Sequence, residues 1–96
     1  MKTTTDPANW RFYFTVTDLA RFLGKSPVTI RGWERKGLVS IPRDSGGDRK
    51  MTADDVYEIA KIALGAKRID EARFRLIAAA VSNITIIEAS NVRGRK

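Results

Sequence analysis

Apolar residues recur at spacings of three and four in several blocks: Leu19, Phe22 and Leu23; Ile30 and Trp33; Val56, Ile59, Ala60 and Ala63; Phe74, Ile77, Val81 and Ile84. Each block lays one apolar stripe along a helix of 3.6 residues per turn, so the pattern predicts four amphipathic helices. Two short stretches instead alternate at a period of two. Trp10 to Phe14 reads as a brief strand, and so does Leu38 to Ile41. The stretch Ile84-Thr85-Ile86-Ile87 is rich in β-branched residues and leaves strand open as an alternative to helix for that part of the chain.

Capping residues bound these elements. Thr15 and Asp18 form a capping box, with Phe14 and Leu19 at the positions of a hydrophobic staple. Gly24 ends the first helix, and only Gly24 and Lys25 separate it from Ser26, an N-cap followed by Pro27 at the first helical position. Gly37 stops that second helix. Thr52 and Asp55 repeat the capping box before a third helix that ends near Gly65, and Asp70 can cap a fourth. Two short helices joined by so tight a turn predict a helix-turn-helix. Drawn as a wheel, the second helix turns Ile30 and Trp33 inward and Val28, Arg31, Gly32 and Arg35 outward. After Gly37, Asp44-Ser45-Gly46-Gly47-Asp48 is turn chemistry, and Arg49-Lys50-Met51 can return antiparallel, which predicts a β-hairpin wing. The expected fold is therefore mainly α: a winged helix-turn-helix with a short β-hairpin wing and an additional C-terminal helix. Residues 1–9 read as a flexible arm, 10–66 as the winged domain, 67–90 as the C-terminal helix and 91–96 as a basic tail.

Composition narrows the chemistry. The chain of 96 residues contains no histidine and no cysteine, which removes imidazole acid–base catalysis, thiol nucleophiles, disulfides and nitrogen- or sulfur-ligated zinc. Neither a cofactor nor enzymatic activity is expected. No N-terminal apolar run resembles a secretory signal, and the most apolar stretch, Leu76 to Ile87, is too short and interrupted to span a bilayer. A cytoplasmic, nucleoid-associated protein is the expectation.

Eighteen Lys and Arg against eleven Asp and Glu leave a net charge of +7. The charge is segregated: residues 21–50 carry eight cations and three acids, whereas residues 51–66 carry one cation and three acids. Such an imbalance attracts polyanions, nucleic acid first among them. The three acids of residues 54–58 sit in and beside the first turn of the third helix, where the helix dipole favours them, and this is a structural role.

The stretch "FTVTDLARFLGKSPVTIRGWERKGLV", followed by "GGDRKMTADDVYEIAKIA", resembles the DNA-binding domain of MerR-type regulators. It is also similar to the related excisionase-like winged helices of phages and mobile elements. The resemblance covers residues 14–64. It implies that Thr29 and Arg31 approach DNA from the recognition helix, that Trp33 stands where the family has an aromatic, and that Arg49 matches the wing arginine. Gly32 replaces the first of the family's paired aromatics, so that phosphate contact is missing. Met51 replaces the usual aromatic at the end of the wing. Metal sensing, which depends on cysteines in a longer C-terminal region, does not carry over.

These readings converge on a sequence-selective double-stranded DNA-binding regulator, a repressor of phage or mobile-element type. Thr29, Arg31 and Arg35 are the expected base readers, with Val28 able to meet a thymine methyl. Lys25, Ser26, Lys36, Arg43, Arg49 and Lys50 complete the candidate DNA surface, mainly toward phosphate. Phe74, Ile77, Val81 and Ile84 form a stripe that packs on the winged domain, on a second subunit or on both, and are the dimerisation candidates for a homodimer or a cooperative assembly on DNA. An excisionase-like or DNA-packaging architectural factor would use the same winged helix. A reading from another class is an RNA-binding protein that stacks bases on Trp10, Phe12, Tyr13 and Phe14.

Overall fold

The computed structural model describes residues 11–43, 46–47 and 50–93. Four helices follow one another: α1 (Val16–Leu23), α2 (Pro27–Arg35), α3 (Ala53–Gly65) and α4 (Glu71–Arg93).

Both capping boxes form. Thr15 Oγ1 accepts from Asp18 N at 3.2 Å while Asp18 Oδ2 accepts from Thr15 N at 2.9 Å. Thr52 and Asp55 repeat this at 3.3 and 2.9 Å. The residues just before the two caps, Phe14 and Met51, exchange a reciprocal pair of backbone hydrogen bonds at 2.8 and 3.0 Å. This isolated antiparallel bridge ties the start of α1 to the start of α3. It cannot grow into a sheet. The next bonded pairs of a ladder would need Val16 on one side and Ala53 on the other, and these are already the first residues of α1 and α3.

Two strand expectations change accordingly. Phe12 and Tyr13 belong to no strand, and the expected β-hairpin wing is not supported: no strand forms among the described residues, and Arg43 takes part only in an isolated bridge. The alternation at residues 38–41 has another outcome: Val39 and Ile41 are buried in the core while Ser40 is exposed, in a loop with no strand partner. Lys50 N donates to Pro42 O at 2.9 Å and closes that loop at its base. Arg43 Nη1 donates to the Gly47 carbonyl at 3.3 Å. The turn residues Asp44, Ser45 and Asp48 lie outside the described residues, as do Trp10, the arm at 1–9 and residues 94–96.

Helix ends follow the chain's left-handed residues. Gly24 has φ 70° and Gly37 has φ 79°, each at the end of a helix. Leu38 N reaches Trp33 O and Gly37 N reaches Glu34 O, the paired bonds of a Schellman stop. Gly24 carries a second constraint. A side chain there would begin 2.9 Å from Arg73 Nη2, because Arg73 of α4 lies across it. α3 ends at Gly65 as expected, although the glycine is not its left-handed residue. The left-handed position falls on Lys67, with φ 59° and the same stop geometry through Arg68 N to Ala63 O.

α4 resolves the ambiguity at residues 84–87 in favour of helix. Asp70 caps it, accepting from Arg73 N at 2.8 Å. Ile77 and Val81 are buried, and Phe74 and Ile84 pack partly buried against the same core. Continuing that stripe outweighs the few tenths of a kcal/mol that each β-branched residue costs a helix. The helix also takes in the backbone of residues 91–93, which had been read as tail. The core runs without a break across the boundary drawn at residue 66, since Ile69, Ile77 and Val81 share one cluster with Leu19, Leu23, Ile30 and Val56. Tyr57 of α3 and Phe74 of α4 pack with ring centroids 5.6 Å apart. The stripe proposed for dimerisation is thus taken up within the chain. One turn beyond it, the buried carboxylate Glu88 accepts from Phe12 N at 2.8 Å and lies 3.9 Å from Arg11 Nη1, fastening the segment before α1 to α4.

Two substitutions test this architecture. Lys67→Gly relieves a left-handed backbone that a side chain disfavours and should raise unfolding free energy by about 1 kcal/mol in urea titration. Ile77→Ala empties a fully buried site and should lower it by about 2–5 kcal/mol, showing that α4 belongs to the folding unit.

Candidate nucleic-acid interface

α2 is short because its sequence starts and stops it sharply. Ser26 Oγ accepts from Thr29 N at 3.2 Å and shares a 3.0 Å hydrogen bond with Thr29 Oγ1. Pro27 occupies the first turn, and the Gly37 stop follows the Lys36 cap. Ile30 and Trp33 are buried, which fixes the helix's rotation on the core. The opposite face is open. Val28 is 67% exposed, a large apolar side chain held in solvent, and Arg31 and Arg35 are exposed beside it. Gly32 lies between them, and Arg35 Nη2 comes within 3.7 Å of where a Gly32 side chain would start. Neither arginine is engaged with another described residue. This face combines two forked donors, a methyl-bearing surface and a gap, at a width that suits a DNA groove.

Lys25, Ser26, Thr29 and Lys36 are likewise exposed, at the entrance and exit of α2. Arg49 lies outside the described residues. The loop cations differ from expectation in being already engaged. Arg43 Nη2 donates to Glu34 Oε2 at 3.0 Å. The Lys50 ammonium stands 4.9 Å from the centre of the Tyr13 ring, a cation–π contact in which the aromatic is half exposed.

Sequence reasoning missed three participants that the fold supplies. Glu34 and Tyr13 hold the loop cations, and neither pairing is visible as local spacing. A groove of about 610 Å³ between the α1–α2 turn and the α3–α4 turn also brings Lys25 together with Lys67, Arg68 and Arg73 around Asp70. Three cations of the chain's last third thus come together with Lys25 from the entrance of α2. The excess of Lys and Arg after residue 66 was the signal, without its direction.

Among the described residues no group of three acidic, histidine or cysteine side chains is placed to hold a metal ion. No helix among them is long and apolar enough to cross a membrane.

No curated protein matches the chain. A solved structure of HiNmlR, a MerR family regulator lacking the sensor domain and bound to promoter DNA, is similar to it at 18% identity. That likeness covers 88% of this chain and 73% of the other, and at a TM-score of 0.43 it carries no argument by itself. The family model for the MerR HTH family regulatory protein matches residues 14–64, from the bridge residue Phe14 to the last turn of α3. With half of its length inside that match, the chain belongs to the MerR helix-turn-helix family of regulatory proteins.

Proposed function

We propose that the protein binds double-stranded DNA sequence-selectively and regulates transcription through α2. The observation that carries this reading is the outer face of α2: Val28, Arg31 and Arg35 are exposed and unspent on the fold, while the helix itself is fixed by its caps and by Ile30 and Trp33. Arg31 and Arg35 read base edges, Val28 meets a thymine methyl, and Lys25, Lys36, Arg49 and Lys50 meet phosphates. The likeness of the sequence to excisionase-like helices extends the reading to a repressor of phage or mobile-element type, acting by occupancy. The architectural alternative predicts a different footprint. One palindromic site near a promoter supports repression, and tandem direct sites support architecture. Selection from a random duplex library supplies the site; failure to enrich any duplex overturns the proposal.

One helix reads few base pairs, so specific binding needs two modules in fixed geometry. With Phe74, Ile77, Val81 and Ile84 committed to the chain's own core, the outer face of α4, bearing exposed Leu76, Ile86 and Ile87, is the surface left for a second copy.

Two outcomes follow. Arg31→Ala should cost about 1–3 kcal/mol at the selected site and relax preference at one or two base pairs, with a much smaller loss on random duplex. Equal losses on both would make Arg31 a phosphate contact. Sedimentation should show a dimer free or on DNA, with half-sites about one helical turn apart, and Leu76→Asp should abolish it without unfolding. A one-to-one complex at every concentration would exclude assembly.

A further inference from the structure

Resting on the DNA-binding reading, one charge pair invites a closer look. Glu34 sits on α2 but off its outer face, about 40° around the wheel from buried Ile30 and about 60° from Arg31. A carboxylate at the rim of a helix laid against phosphates repels them, so its charge must be offset within the protein. Arg43 does this in two directions at once. Its Nη2 donates to Glu34 at 3.0 Å and its Nη1 donates to Gly47 O at 3.3 Å. The planar guanidinium is a rigid fork, and here one tine rests on the recognition helix and the other on the tip of the loop. Glu34's side chain is only 18% exposed and Arg43's is 43%, so the pair is better shielded than an ordinary surface pair. Gly47 adopts φ 87°, a left-handed conformation open to glycine, which places its carbonyl on this loop. Lys50, whose backbone closes the loop on Pro42, is the loop's nearest described cation toward solvent.

We infer that Glu34 and Arg43 form a clamp that fixes Gly47, and with it the Pro42–Lys50 closure, relative to α2. Arg43 is then a positioning residue and not itself a phosphate contact. The clamp sets the phase between base contacts made by Arg31 and Arg35 and backbone contacts made from the loop. Successive phosphates of one strand step about 3.4 Å along the helix axis, one per base pair, so a loop that drifts from one phosphate to the next loses register with the bases.

The test is a double-mutant cycle. Glu34→Ala, Arg43→Ala and the double variant are titrated over a salt series against a duplex selected from a random library and against random duplex. The clamp requires Glu34→Ala to weaken selected-site binding by about three- to tenfold, although the change removes a negative charge. Arg43→Ala should weaken it comparably with little change in salt slope. In the Arg43→Ala background Glu34→Ala should cost clearly less than it does alone. Glu34→Gln, which keeps an acceptor for the guanidinium, should recover part of the loss. Tighter binding by Glu34→Ala overturns the clamp, and so does an additive cycle in which Arg43→Ala lowers the salt slope by about one unit. Hydrogen exchange of the Lys50 amide in the free protein decides the matter without DNA. Faster exchange in both single variants supports the clamp, and unchanged exchange overturns it. A wild-type protein that selects no duplex overturns the DNA-binding reading instead, and the exchange result then stands alone.

Discussion

The reciprocal bond pair between Phe14 and Met51 is the constraint on which the rest of the molecule depends. It joins two chain segments at the positions where each turns into a capped helix, and it converts everything between them into a closed loop. Closing a flexible loop of that length costs about 3 kcal/mol in chain entropy. The enclosed segment offsets that cost with buried Leu19, Leu23, Ile30, Trp33, Val39 and Ile41, each able to contribute about 1.5–3 kcal/mol when fully buried. α2 and the loop that follows it lie inside this closed segment. Their mutual placement is therefore inherited from the bridge and the core beneath it, and side chains at the surface need only refine it.

Charge is distributed over this frame in two ways. The arginines of α2 stand free of the fold, while the two described loop cations already touch it, Arg43 at Glu34 and Gly47, Lys50 at Tyr13. A count of positive residues treats these groups alike, yet their physical roles diverge once partners are known. An exposed guanidinium without a partner loses only water when it meets a base. One already in a charge-assisted bond must give that up first.

Most of the helices and their ends were legible because their causes are local. Thr15 with Asp18, Thr52 with Asp55, and Ser26 with Pro27 act within four residues, and the structure shows each of these caps. What could not be read depends on distant partners. The alternation at residues 38–41 was correctly a sign of half-burial, but whether it joins a ladder depends on the segment opposite, which enters the Thr52 cap too early. Glu88 and Phe12 meet across 76 positions, and nothing near either residue announces it. The stripe of Phe74, Ile77, Val81 and Ile84 was recognised as an interface, but its spacing alone does not say whether the other side is a second copy or, as found, α3 of the same chain. The end of α3 at Gly65 was legible, but not that a lysine two residues on takes the left-handed position that glycine usually holds.

Gly24 shows how such constraints shape the sequences this fold can accept. Its backbone is left-handed, and Arg73 from the start of α4 fills the space a side chain would need. Asparagine would tolerate the first condition and fail the second unless Arg73 moved. A smaller residue at 73 would open the space and leave the backbone requirement intact. A side chain at residue 24 therefore displaces the guanidinium of Arg73 and its 3.5 Å bond to the Phe22 carbonyl, so the tolerance of residue 24 is set in part by a residue 49 positions away.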